Sequence, residues 1–211
     1  MKIALINGSP KVKNSASEFI LTSVKSLLPA DSVFKEFKFN RPILNEIDLE
    51  KIADTDVLIF AFPLYVDGIP SHLLRCLDQM ETYFNTMEMK KIKVYALVNC
   101  GFYEGHQANI ALAMMKNWCS KVKLDWGQGI GIGGGGMLAS FKSPLESQGP
   151  MKNLWDAIKV MVDNVSNPHE MDNIYTVPNY PRFLYALGGN MGWKKQIKEN
   201  GLKQKDLNMK K

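Results

Sequence analysis

The chain has 211 residues, 45% of them hydrophobic and 22% charged, which is enough for one well-filled core and bounds the fold at one domain or at most two. No apolar window approaches a membrane span, and Met1-Lys2 runs directly into an apolar segment without a signal-peptide pattern, so a soluble cytoplasmic protein is expected. The net charge of +5 does not indicate nucleic-acid binding: from Lys194 onward seven lysines face only Glu199 and Asp206, the preceding chain is formally neutral, and no aromatic residues interleave with these lysines.

Residues 2–7 read as a buried strand and residues 15–28 as an amphipathic helix. Between them lies Asn7-Gly8-Ser9-Pro10-Lys11-Val12-Lys13-Asn14-Ser15-Ala16-Ser17. A strand that ends in small polar residues before a helix aims unpaired N–H groups and the positive dipole end at the turn, which is the arrangement of a phosphate cradle. The candidate ligands are Ser9, Lys11, Asn14, Ser15, Ala16 and Ser17, mostly neutral donors with one or two lysine charges. A plain N-cap and turn without a ligand would use the same residue types. The Gly-Lys-Ser/Thr triplet of a Walker loop is absent, so a phosphate monoester on a compact cofactor fits better than a triphosphate with magnesium.

Strand-like and helix-like runs then alternate. Strands are expected at 33–39, 57–62, 92–99 and 123–132, and helices at 46–53, 70–85, 105–120 and 148–165. Five strands separated by helices imply a parallel sheet covered on both faces, with ligands beyond the carboxyl ends of the strands. The loops there combine backbone access with apolar walls: Pro63, Leu64, Tyr65, Val66, Asp67 and Gly68 after the third strand, and Asn99, Cys100, Gly101 and Phe102 after the fourth. After the fifth comes a glycine run that includes Gly134. A flat, apolar ring with hydrogen-bonding edges is the matching guest. Tyr65 suits either a ring contact or a buried strand-end aromatic.

Other patterns carry less. The GxGxxG at 129–134 ends the last strand rather than the first, so it is not read as a dinucleotide fingerprint. His72, His106 and His169 lack metal-ligand spacing. Cys76, Cys100 and Cys119 are widely spaced, supporting neither a disulfide framework nor a metal cluster, and Cys100 has no neighbouring histidine to activate it.

The three segments 7–17, 63–70 and 99–102 together resemble the flavodoxin-like NAD(P)H-dependent FMN reductase family, with the likeness spanning about residues 1–165. The resemblance implies a flavodoxin-like, doubly wound α/β fold with five parallel strands in the order 2-1-3-4-5. It also implies FMN across the strand ends, with its phosphate on Ser9 to Ser17 and its ring against 63–68 and 99–101. NADPH or NADH would be the co-substrate and a quinone, flavin, nitro or azo compound the acceptor. Many relatives carry arginine where Lys11 stands, and the compact cysteine cluster of the iron–sulfur relatives is missing. Hydride transfer through a flavin requires no side-chain acid or base, so no catalytic residue is assigned. The rival reading is a non-enzymatic FMN electron carrier or redox-responsive flavoprotein, and a third is a scaffold that has lost FMN. Residues 1–168 are expected to form the FMN domain, and 169–211 an extension packed on it or on a dimer partner, with Phe183, Leu184, Leu187 and Met191 near helical spacing and a dispensable basic tail after Gly201. A homodimer is expected, with no nucleic-acid or membrane partner.

Overall fold

The computed structural model describes residues 1–86, 90–138, 148–169, 171–203 and 205–206. Its centre is a parallel sheet of β1 (Lys2–Asn7), β2 (Val33–Lys38), β3 (Val57–Pro63), β4 (Lys93–Asn99), β5 (Asp125–Ile132) and β6 (Ile174–Thr176), in the order β2-β1-β3-β4-β5-β6. The inner strands are apolar at almost every position because both faces are covered. Their period-two alternation divides the core. Leu58, Phe60, Phe62, Val94, Ala96 and Val98 join α2 (Glu46–Ala53), α3 (Ser71–Phe84) and α4 (Asn109–Lys121). Val57, Ile59, Ala61, Tyr95 and Leu97 face α1 (Ala16–Leu27) and α6 (Lys152–Ser166) on the other side.

Local chemistry sets the helix ends. Ser15 caps α1 by accepting the Glu18 N–H at 3.0 Å, and Asn45 caps α2 by accepting that of Asp48 at 2.8 Å. Pro70, whose ring cannot continue a helix backwards, precedes α3. Buried polar groups are paired where helices meet the sheet. The Tyr95 hydroxyl donates to Asn164 Oδ1 at 2.8 Å, and Trp118 Nε1 donates to the Leu77 carbonyl at 3.2 Å.

Several expectations are corrected. The sheet has six strands rather than five: β6 pairs parallel to β5 through Ile130 with Ile174, Gly131 with Tyr175 and Ile132 with Thr176. The order of the first five is the expected one. β5 begins at Asp125, after Lys123 turns through φ 58°. A 3-10 turn, Gly105–Ala108, precedes α4. The glycine run is not bare loop, since α5 (Gly135–Leu138) makes one helical turn of it, and α6 starts at Lys152 after the turn at Gly149.

The chain divides into two compact units, Met1–Pro178 and Asn179–Lys211. The second is built on α7 (Arg182–Glu199), which Asn200 and the left-handed Gly201 (φ 71°) terminate in the helix-stop arrangement its sequence predicts. Phe183, Leu184, Leu187 and Met191 are exposed along α7. The end of the basic tail, 207–211, lies outside the described residues.

Candidate functional site

At the carboxyl end of β1 the chain folds around Asn7, which is nearly fully buried. Its Oδ1 accepts the Ser9 N–H at 3.0 Å and its Nδ2 donates to Ser15 Oγ at 3.2 Å, so a single side chain closes the loop onto the helix cap. Ser9 Oγ accepts the Lys11 N–H at 3.2 Å. Lys11 Nζ turns back to the Asn14 carbonyl at 3.0 Å, and Asn14 occupies the left-handed region at φ 53°. The Ala16 and Ser17 N–H groups, the first two of α1, have no acceptor among the described residues. Buried hydroxyls of Ser9, Ser15 and Ser17 therefore surround two open backbone donors at a helix N-terminus.

Asn99, at the end of β4, joins this loop to the next. Its Nδ2 lies 3.0 Å from the Phe62 carbonyl and 3.3 Å from Ser17 Oγ, and its own carbonyl accepts the Leu64 N–H at 2.8 Å. From Pro63 and Leu64 the chain enters a two-residue hairpin in which Tyr65 and Gly68 exchange both backbone hydrogen bonds, at 3.2 and 3.1 Å. The tip residues Val66 and Asp67 both have positive φ, 48° and 58°, the pattern of a type I′ turn. That conformation is uncommon for Asp and strained for β-branched Val. The turn leaves the Val66 and Asp67 N–H groups without an acceptor among the described residues, whereas Gly68 and Cys100 use theirs internally. Gly68 has no positive φ, and a Cβ there would make only ordinary contact with Met114. Tyr65 is 51% exposed, which rules out a buried strand-end aromatic, and Phe102 is 56% exposed on the opposite loop.

The third wall is a packing seam. Cβ atoms at Gly131 or Gly133 would run into the backbone of Gly105 or Tyr103, so these glycines let the 3-10 turn lie directly on β5. Gly129 is pressed likewise by the Leu112 and Asn173 side chains, so close packing and the left-handed Gly134 account for the literal GxGxxG without a dinucleotide. Gly134 is left-handed (φ 71°) and donates to the Phe102 carbonyl at 2.6 Å, while Gly135 donates to that of Cys100 at 2.7 Å. A Cβ at Gly135 would come within 3.1 Å of Asn99 Oδ1. The Cys100 thiol sits near the Phe102 and Glu104 carbonyls, at 4.0 and 3.6 Å, and burial raises its pKa. It is a protonated wall group at neutral pH, not a nucleophile. Burial pushes Cys76 up to about 11 and Cys119 to about 12.

The residues expected to hold FMN lie at the carboxyl ends of the neighbouring strands β1, β3 and β4, with Ala16 and Ser17 opening α1 and Gly134 following β5. Sequence reasoning missed His72, whose Nε2 meets the Gly8 carbonyl at 3.1 Å and ties α3 to the first loop. It also passed over Asn7 as the organiser of the cradle. A strand-terminal Asn before Gly-Ser is a usable signal for the latter, whereas nothing local marks His72. Among the described residues no group of His, Cys, Asp and Glu is arranged to hold a metal ion, and no helix is long and apolar enough to cross a membrane.

A flavin mononucleotide makes two demands: a phosphate site of convergent donors and a slot for a planar ring within reach of backbone N–H groups. The open Ala16 and Ser17 N–H groups among buried serines fit the first. The open hairpin amides, facing the Cys100–Phe102 loop across the Asn99 bridge, fit the second. The family model described as NADPH-dependent FMN reductase matches residues 1–123. No curated protein sequence matches. Among solved structures, an NADPH-quinone reductase from P. pentosaceus has a TM-score of 0.55 at 15% identity, covering 81% of this chain and 100% of its own. A flavodoxin, WrbA-like protein from Agrobacterium tumefaciens has a TM-score of 0.55 at 12% identity, covering 80% and 98%. An FMN-dependent NADH-azoreductase from Bacillus anthracis in complex with FMN has a TM-score of 0.54 at 11% identity, covering 79% and 100%. At these identities the likeness establishes the flavodoxin-like α/β fold.

Proposed function

Since the chain belongs to the NADPH-dependent FMN reductase family, we infer that it passes electrons from a nicotinamide through FMN to a quinone, flavin, nitro or azo compound. It is an NAD(P)H-dependent oxidoreductase with FMN as cofactor and NAD(P)H as co-substrate. The observation that carries the finer reading is the pair of open donors at Ala16 and Ser17, ringed by buried serine hydroxyls, beside two loops with an exposed aromatic each.

When bound, FMN would supply two-electron redox chemistry between the nicotinamide and the acceptor. The residues of the chain bind and orient. Ser9, Ser15 and Ser17 keep a hydroxyl proton each for the phosphate, because their oxygens already accept from Lys11, Glu18 and Asn99. Lys11 and Asn14 close the loop around it. The Val66 and Asp67 N–H groups offer fixed dipoles to the polar edge of the ring, where negative charge develops on reduction. Pro63, Leu64, Tyr65 and Gly68 form one wall, and Cys100, Gly101 and Phe102 the other, with Gly134 shaping the floor. A second copy of the chain would cover the exposed apolar side chains of α7, making the working form a homodimer. Light scattering that returns a monomer mass at micromolar protein would defeat the dimer.

The test is a flavin titration followed by anaerobic addition of NADPH or NADH, reading flavin absorbance, and then of a member of each acceptor class. One FMN per chain, bleaching by the nicotinamide and recovery with at least one acceptor are expected. Ser9→Ala should weaken FMN about ten- to hundredfold, the effect of losing one hydrogen bond to a charged group. Bound flavin that no nicotinamide bleaches would reject the proposed electron path.

A further inference from the structure

Gly8, in the loop proposed to hold the phosphate, is bonded to both ends of the loop proposed to hold the ring. Residues 64–69 run from β3 to α3. The Gly8 N–H donates to the Ala61 carbonyl of β3 at 2.9 Å, and the Gly8 carbonyl lies 3.1 Å from Nε2 of His72, in the first turn of α3. A carbonyl only accepts, so Nε2 carries the proton of this bond. The contact is close as well as polar, since a Cβ at Gly8 would come within 2.6 Å of Leu73 Cδ2 and 3.1 Å of Phe62 Cβ. Gly8 is buried and His72 half-buried.

The support beneath His72 is rigid. Leu73, Cys76, Leu77 and Met80 fix α3 in the core. His72, Cys76 and Gln79 follow helical spacing along one stripe. Cys76 Sγ donates to the Arg41 carbonyl at 3.2 Å, Gln79 Nε2 donates to that of Pro42 at 2.9 Å, and Gln79 Oε1 accepts the Leu44 N–H at 3.0 Å. Asn99 makes the other tie between the two loops, accepting the Leu64 N–H on its carbonyl and reaching Ser17 Oγ through Nδ2. Asn99 thus braces the helix side of the cradle, and His72 braces the peptide that leads into Ser9.

Ser9 follows directly, with its N–H on Asn7 Oδ1 and its hydroxyl oxygen accepting the Lys11 N–H. A shift of the Gly8 peptide would therefore carry into the first turn of the cradle. FMN joins its ring to its phosphate through a short sugar-alcohol chain, so its two ends engage together only when the two loops stand at one separation. Holding them there in advance lowers the ordering cost of binding.

We propose that His72 is a positioning residue for FMN: its Nε2–H holds the phosphate loop at a fixed distance from the ring loop and thereby favours the phosphorylated flavin over riboflavin. This rests on the FMN reading above. His72 acts through Gly8 and takes no part in electron transfer.

FMN and riboflavin are titrated into the flavin-free full chain by fluorescence, for the native chain, His72→Leu, His72→Gln, Ser9→Ala and the double variant of His72→Leu with Ser9→Ala. His72→Leu should raise the FMN Kd about three- to tenfold, the worth of one neutral hydrogen bond, and leave the riboflavin Kd nearly unchanged. His72→Gln, whose amide nitrogen can stand in for Nε2, should recover most of the FMN affinity. Ser9→Ala should cost less in the His72→Leu background than in the native chain, because both changes act on one turn. An equal rise for both flavins, or native FMN affinity in His72→Leu, would overturn the assignment. Amide hydrogen exchange without flavin reads the anchor directly: exchange at Gly8 and Ser9 should quicken in His72→Leu and return toward the native rate in His72→Gln. A native chain that binds no FMN would defeat the cofactor reading, whereas exchange that His72→Leu leaves unaltered would defeat the anchor by itself.

Discussion

At the amino ends of the strands polar groups are closed off by charge, whereas at the carboxyl ends of the same strands they are closed by neutral hydrogen bonds and left partly open. The Lys2 N–H donates to Asp56 at 2.8 Å, Lys2 and Lys35 each reach Asp54 at 2.9 Å, and Lys90 reaches Asp56 at 2.9 Å. These side chains are well solvated, so the pairs add little to stability at neutral pH. At the other end Asn7 and Asn99 tie serines and carbonyls together out of water, yet the N–H groups of Ala16, Ser17, Val66 and Asp67 find no acceptor among the described residues and Val66 is held at positive φ. A fold shaped only for stability would not retain open donors and a strained β-branched residue side by side. The contrast separates an end closed by ion pairs from one that keeps open donors, the end proposed above to hold FMN.

The largest effect that would test this contrast is expected at Asn99. Asn99→Leu removes the donor shared by Phe62 and Ser17 in a buried setting and should destabilise the protein by about 2–3 kcal/mol in chemical denaturation, with flavin binding lost alongside. Unchanged stability would mean that the carboxyl end is not held by this network. Ser15→Ala removes the α1 cap and the partner of Asn7. It should cost about 1–2 kcal/mol and weaken FMN by more than its effect on stability alone. If flavin fluorescence titration returns the native affinity, the cap has no ligand role.

Val66→Gly should act in the opposite direction. Removing the branched side chain at φ 48° relieves about 1–2 kcal/mol of strain, partly offset by the greater freedom of glycine when unfolded. A gain of about 0.5–1 kcal/mol is expected, together with weaker flavin binding as the open amides lose their fixed orientation. A variant no more stable than the native chain would show that the tip stores no strain.

The smallest effect at neutral pH belongs to the amino end. Asp54 is held at a pKa of about 2, below its ordinary 3.8, by hydrogen bonds from Lys2 and then Lys35. Its contribution is complete above the ordinary value and is lost as pH falls through about 2. Asp54→Asn should leave stability at pH 7 and FMN binding nearly unchanged while flattening the acid limb of the unfolding curve. An acid limb identical to that of the native chain would remove Asp54 from the account.

Much of this organisation was legible because it is written in short windows. Ser15 three residues before Glu18 marks a helix start, Asn200-Gly201 a stop, and the runs in β3 and β4 carry strands buried on both faces. Asn7 to Ser17, between a strand and a helix, pointed to the cradle from composition and order alone. Each rests on interactions within about one helical turn or along one strand, where residue type decides conformation.

The rest depended on segments that meet only after folding. Ile174-Tyr175-Thr176 is too short to show a period, and it becomes β6 because β5 offers it a partner edge. The glycines of β5 read as the end of a strand without a stated purpose until Gly105 and Tyr103 are seen packed on them. Val66 and Asp67 carry none of the Asn-Gly chemistry of their turn; the paired backbone of Tyr65 and Gly68 imposes it. His72 is an ordinary residue in the linear chain, and α3 makes it a neighbour of the cradle through the Gly8 carbonyl. The sequence by itself determined the first five strands and the helices between them, because those choices follow from local sterics and hydrophobic period. Only the tertiary structure decided the sixth strand, the glycine seam on β5 and the bond from His72 to the first loop, because these arise from contacts between residues dozens of positions apart.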